Sequence, residues 1–213
     1  MKNGILLIGI GMCEDLLIEK ILGKYPNHQI ILSKRNITKR NNKNYGSQIK
    51  ILKLDLEKPQ KDLEKITGEL KKTHILIDKV IFGARSKEKE ITIKEYSSSV
   101  EIFAALQIGA FSLVEILYHL DRSNCLAEKN QIICLNGNFA FDPNPSKFLL
   151  SIAKINLNGI VKMLRIDNFN IGQVFICGKI GVETGEISIK SITNSILNLM
   201  ENNEKDIFLT INR

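Results

Sequence analysis

At 213 residues, 44% of them hydrophobic, the chain has apolar material for one sizeable core and suits a single domain. Its net charge of +7 raises nucleic acid as a partner, but acids recur along the chain and no aromatic and basic alternation accompanies the lysines, so none is expected. Cys13, Cys125, Cys134 and Cys177 lack disulfide or zinc spacing, and no apolar run reaches the roughly eighteen residues of a membrane span or suits a secretory signal, so a metal-free cytoplasmic protein is expected.

Apolar runs of strand length alternate with segments of helical period, the pattern of a parallel sheet covered by helices on both faces. A buried strand over 5–8 opens the chain. A helix over 14–22 follows, with Leu17, Ile18, Ile21 and Leu22 on one stripe, ended by Gly23 and Pro26. The second strand covers 28–32, and residues 36–44 read as a polar surface loop, with a short helix as the alternative. Lys34, Arg35, Lys39, Arg40, Lys43, Lys50 and Lys53 crowd this region and read as a solvated basic surface. A strand over 49–54, a weakly amphipathic helix over 58–70 and a strand over 75–82 come next. Then follow a long, broadly apolar helix over 98–120, a strand over 130–135, a second long helix over 146–167 and a strand over 172–177. The last elements are a helix over 188–202 and a strand over 206–211. The expectation is a Rossmann-like doubly wound α/β fold of about seven parallel strands, with a ligand crevice where strand order reverses.

Between the first strand and helix stands Gly9-Ile10-Gly11-Met12-Cys13-Glu14-Asp15. Glycines here let a backbone approach a phosphate while the helix N-terminus offers free N–H groups; a plain tight turn is the alternative. Cys13 is expected to add bulk at that approach, and Asp15 to repel a phosphate if it faces one.

The order of elements, with Leu150-Ser151-Ile152-Ala153-Lys154, resembles the short-chain dehydrogenase/reductase family from end to end. The resemblance implies an NAD(P)-binding domain with Gly9 and Gly11 in the phosphate turn. Ser33, Lys34 and Arg35 follow the second strand, where a basic pair suits the 2′-phosphate of NADP better than the ribose of NAD. Asp55 and Leu56 resemble the adenine-contacting segment, Gly83 and Ala84 the family's Asn-Ala-Gly turn, and Gly178 and Ile180 the segment that closes over the nicotinamide.

The same resemblance places Lys154 as the lysine of the catalytic tetrad, which also binds the nicotinamide ribose of the cofactor, and Leu106, Gly137 and Leu150 where the family carries asparagine, serine and tyrosine. An aliphatic side chain cannot donate the proton that a phenol donates to a carbonyl. Asn136 or Asn138 could hydrogen-bond a carbonyl but offers no useful acidity. The expected protein is therefore a divergent dinucleotide-binding or scaffolding subunit without ordinary carbonyl-reductase chemistry. The alternatives are an active NADP-dependent oxidoreductase of a small carbonyl or alcohol substrate, and a partner-binding module using the basic region near Arg35 and Lys39. The two long helices are expected to pair with their copies in a homodimer.

Overall fold

In the computed structural model, which describes residues 1–37, 46–86, 92, 94–95, 98–181, 186–202 and 205–210, seven strands alternate with helices. The strands are β1 (Lys2–Ile8), β2 (Gln29–Lys34), β3 (Ile49–Lys53), β4 (Ile75–Phe82), β5 (Leu126–Gly137), β6 (Ile171–Cys177) and β7 (Asp206–Thr210). All pair in parallel, in the order β3-β2-β1-β4-β5-β6-β7. The order reverses between β1 and β4, which sets a crevice at their carboxyl ends.

The central strands are near-continuous apolar runs because both faces of the sheet are covered. One face buries Ile5, Leu7, Ile30, Leu32 and Ile133 with apolar residues of α1 (Glu14–Lys24) and α6 (Ile189–Glu201). The other buries Leu6, Ile8, Ile31, Val80 and Ile132. It is covered by α2 (Gln60–Lys72), α4 (Ser112–Arg122) and α5 (Phe148–Ile166).

Several boundaries differ from the sequence expectation. Gly23 lies inside α1 rather than ending it; the helix stops at Tyr25, whose N–H bonds the Ile21 carbonyl at 2.7 Å, just ahead of Pro26. Ser33 and Lys34 do not follow β2 but end it, paired with Leu52 and Lys53 of β3. β5 begins four residues earlier than expected, because Leu126 pairs with Ile77 before an irregularity in register. Most of the expected loop over 36–44 lies outside the described residues, as do Lys39, Arg40, Lys43 and Ile211.

The helix expected over 98–120 is three segments. Ser98 caps α3 (Ser99–Leu106), its hydroxyl accepting the Val100 N–H at 3.2 Å, and a π turn over Gln107–Phe111 leads into α4. At Gly109 a Cβ would lie 2.9 Å from the Ala153 Cβ, so a glycine lets this segment press against α5 where the helix is distorted. The 24-residue composite has the length and mean hydropathy, 1.8, of a membrane span. Leu113, Ile116, Leu117 and Leu120 are nonetheless buried against the sheet, which makes α4 a core helix of this fold. The second long helix starts later than expected, at Phe148, after a 3-10 turn over Pro145–Lys147 that Asn144 caps.

Candidate functional site

A crevice of about 620 Å³ opens at the carboxyl ends of β1 to β4. The sequence turns sharply there because Gly9 and Gly11 hold φ of +62° and +55°, a region that disfavours any residue with a Cβ. Gly9 is also wedged against the neighbouring strand end, since its Cβ would lie 2.5 Å from the Ala84 Cα. Around Gly11 a Cβ would meet nothing within 4 Å, so the backbone faces open crevice. No side chain caps α1, which starts directly below this turn.

Of the expected cofactor positions, Gly9, Gly11, Ser33, Lys34 and Arg35 all line the crevice. Asp55, Leu56 and Ala84 line it too. Gly83 flanks it, its N–H bonding the Ile8 carbonyl at 2.8 Å and its Cα packed on Leu135. Gly178 and Ile180 do not join them. Gly178 is exposed, while Ile180 bridges to Ile187 and packs under the sheet on the α1 and α6 face. Residues 182–184 of the same segment lie outside the described residues.

Two cations of the crevice, Lys34 and Arg35, are paired with acids. Lys34 bonds the Glu14 carboxylate, and Arg35 reaches Glu57 at 2.6 Å and Asp55 at 3.6 Å. Of the basic residues around β2 and β3, Lys50 likewise pairs with Glu69. Asp15 is exposed and lines the crevice. Cys13 corrects the expectation. The 3-10 turn over Gly11–Cys13 carries its thiol down into the core beside Leu17, 3% exposed, so its bulk does not meet the crevice, and burial pushes the thiol pKa up.

Lys154 is neither a surface lysine nor a lining residue of the crevice. It is buried on α5, its ammonium donating to the Leu135 carbonyl at 2.9 Å. No carboxylate pairs with it among the described residues. Burial pulls its pKa down to about 8; the neighbouring Cys134 opposes this and Arg85 adds to it. It lines a recess of about 10 Å³, room for roughly one water, with Ala84, Arg85, Leu149, Leu150 and Ala153. Ala84 and Arg85 also line the crevice, so the two spaces adjoin.

The remaining tetrad positions carry no acid. Leu150 stands one turn before Lys154 beside the recess, and Leu106 ends α3 just before the π turn. Gly137, at the end of β5, lies near the Ile176 carbonyl, 3.5 Å from where its Cβ would be. Asn136 is committed elsewhere, donating to Gln173 Oε1 at 2.9 Å while Gln173 donates to Asn158 Oδ1 at 3.1 Å. This buried chain ties β5, β6 and α5 together and removes Asn136 as a carbonyl donor. Glu14 and Arg85 were not singled out from the sequence. Glu14 adjoins Asp15 in the first helical turn, where an acid reads as dipole stabilisation, and Arg85 directly follows Phe82-Gly83-Ala84.

The parallel sheet, its reversal between β1 and β4 and the glycine turn at that point define a Rossmann-like fold of the short-chain dehydrogenase/reductase type. A short chain dehydrogenase family protein from Francisella tularensis has the same fold, with a TM-score of 0.74 at 17% identity over 99% of this chain and 97% of that one. The NADH enoyl-[acyl-carrier-protein] reductase of Aquifex aeolicus gives 0.75 at 17% identity, covering 97% of this chain and 94% of its own. An alcohol dehydrogenase from the archaeon Thermococcus sibiricus, solved with 5-hydroxy-NADP, gives 0.76 at 12% identity over 99% and 97% of the two chains. At these identities the likeness is one of fold. No protein-family model matches the sequence, and no curated protein is similar to it.

Proposed function

We propose that this chain is a divergent cytoplasmic member of the short-chain dehydrogenase/reductase family that binds a dinucleotide, NADP in preference to NAD, and has lost ordinary carbonyl reduction. The observation that carries the reading is an open glycine-turned crevice beside a reaction position that holds Leu150.

The volume of the crevice and its glycine turn support a dinucleotide. Its turn leaves backbone exposed at Gly11, and the N-terminus of α1 points its dipole toward the same place. Asp55 and Leu56 would take the adenine end, and Arg35, half exposed, would exchange Glu57 for a 2′-phosphate. Glu14 and Asp15 bring carboxylates to the pyrophosphate end, and Lys34 neutralises Glu14. A bound nicotinamide supplies a hydride, and this chain presents no acid at position 150 or 137 to deliver the accompanying proton.

Two apolar stripes support the expected homodimer. Val100, Phe103, Phe111, Val114 and Tyr118 are exposed along the segmented helix, and Ile155, Met163 and Ile166 along α5. Scattering at micromolar concentration should return a dimer; a monomer removes that part of the reading.

Calorimetric titration with NADPH and then NADH tests the main proposal. Micromolar binding that favours NADPH, without turnover of a panel of small carbonyls, is the expected result. Failure of both to bind at millimolar concentration would leave a scaffolding role; rapid turnover would make the chain an active reductase.

A further inference from the structure

Lys154 has surroundings unlike those of an ordinary lysine. Its amine is buried, held only by a backbone carbonyl, and has no carboxylate partner among the described residues. An ammonium so placed gains little from its charge, and the neutral amine is the nucleophilic form. The recess it lines is walled by Leu149, Leu150 and Ala153 and adjoins the crevice at Ala84 and Arg85. Arg85 is exposed and pairs with no carboxylate among the described residues. A nucleophile in an apolar recess with a guanidinium at its mouth suits an electrophile that carries an anion next to its reactive carbon.

We propose that Lys154 condenses reversibly with a small 2-oxo acid, the carboxylate held by Arg85 and the carbonyl carbon set against Nζ. The Nζ lone pair attacks the carbonyl carbon to give a carbinolamine. The carbonyl oxygen then leaves as water with the two amine hydrogens, and a C=N bond remains. A Lys154 that starts protonated first releases one proton to the solvent of the crevice. No oxidant, reductant or dinucleotide enters the step, so it stands independently of dinucleotide binding. Because the recess has room for only roughly one water beside the amine, glyoxylate, the smallest 2-oxo acid, is the probe and should react before pyruvate. The lowered pKa of about 8 supports this, giving Lys154 roughly three hundred times the free-amine fraction of an ordinary lysine at pH 7.

The test is reductive trapping. The purified protein, free of dinucleotide, is incubated at neutral pH with glyoxylate and cyanoborohydride, and peptide mass spectrometry locates the carboxymethyl group. Lys154 should be labelled at least ~10-fold above the average of the other lysines, with a pH midpoint near 8. Lys154→Arg should abolish that label. Arg85→Gln, which leaves Lys154 in place and keeps the test open if the arginine variant misfolds, should slow glyoxylate labelling ~10-fold and acetaldehyde labelling less than ~2-fold. Labelling spread in proportion to exposure, a midpoint matching surface lysines, or indifference to Arg85→Gln would each overturn the proposal. Because no dinucleotide is present, a negative result here leaves the NADPH titration untouched, and the reverse.

Discussion

Replacing Gly9 with alanine tests whether the crevice turn is built by sterics, as its geometry requires. Two penalties act at once. An alanine at φ +62° carries about 1–2 kcal/mol of left-handed strain. Its Cβ would also lie 2.5 Å from the Ala84 Cα and 2.8 Å from the Ala84 nitrogen, overlaps with backbone that cannot swing aside. Overpacking of that kind costs about 1–3 kcal/mol, for a total of about 2–5 kcal/mol. In a chain of this size that lowers Tm by roughly 4–20 °C. Gly11→Ala is the control, since it shares the positive φ of +55° but meets nothing within 4 Å. It should lose only the strain, about 1–2 kcal/mol. The gain from a stiffer unfolded chain applies equally to both and cancels in the difference. Urea melts of both variants read that difference, expected at about 1–3 kcal/mol. Adding Ala84→Gly to Gly9→Ala should recover little, because the two shortest contacts are to backbone. Equal losses for the two glycine variants, or full rescue by Ala84→Gly, would refute the argument.

Four further outcomes are expected. Glu14→Gln removes an anion from the crevice and frees Lys34, so NADPH affinity measured by calorimetry should rise about 3–10-fold; an unchanged affinity would mean that the carboxylate does not face the phosphate. Leu150→Tyr restores a phenol one turn before Lys154, and a spectrophotometric screen of small carbonyls with NADPH should then show reductase turnover rising by about 10²–10⁴-fold over background. Gln173→Leu strands Asn136 Nδ2 and Asn158 Oδ1 inside the protein and should cost about 2–4 kcal/mol in a denaturant melt; a loss near zero would show that water or repacking satisfies them. Lys154→Met reads the buried charge through pH. The folded pKa of about 8 lies below the usual 10.5, so between those values the unfolded chain holds a proton that the folded chain has released, and wild-type stability rises with pH. Relative to the methionine variant, the wild type should gain on the order of 3 kcal/mol between pH 7.5 and pH 10.5, measured by urea melts at each pH.

Much of the fold was legible because its signals are local. The runs Ile5 to Ile8 and Ile75 to Phe82 read as buried strands, and their alternation with helical stripes implies parallel pairing. The crevice positions Gly9, Gly11, Ser33, Arg35 and Asp55 were implied by the family resemblance, and the doubly wound sheet brings them together at its point of reversal. Helix interruptions were not legible. The π turn over Gln107–Phe111 sits where Gly109 packs closely on Ala153, a contact between residues 44 positions apart. Nor could sequence say that Gly23 would stay helical, since that depends on where the chain must turn toward β2.

The amino-acid sequence by itself determined the strand and helix order, the position of the glycine turn and the absence of a phenol at Leu150, because each rests on residue type or spacing along the chain. Only the tertiary structure decided what the side chains do. It turned Cys13 into the core and left Asp15 facing the crevice, joined Lys34 to Glu14 and Arg35 to Asp55 and Glu57, and enclosed Lys154 against Leu135. The physical reason is that burial and charge pairing depend on neighbours brought together by folding, and those neighbours set whether a lysine is a surface cation or a buried amine.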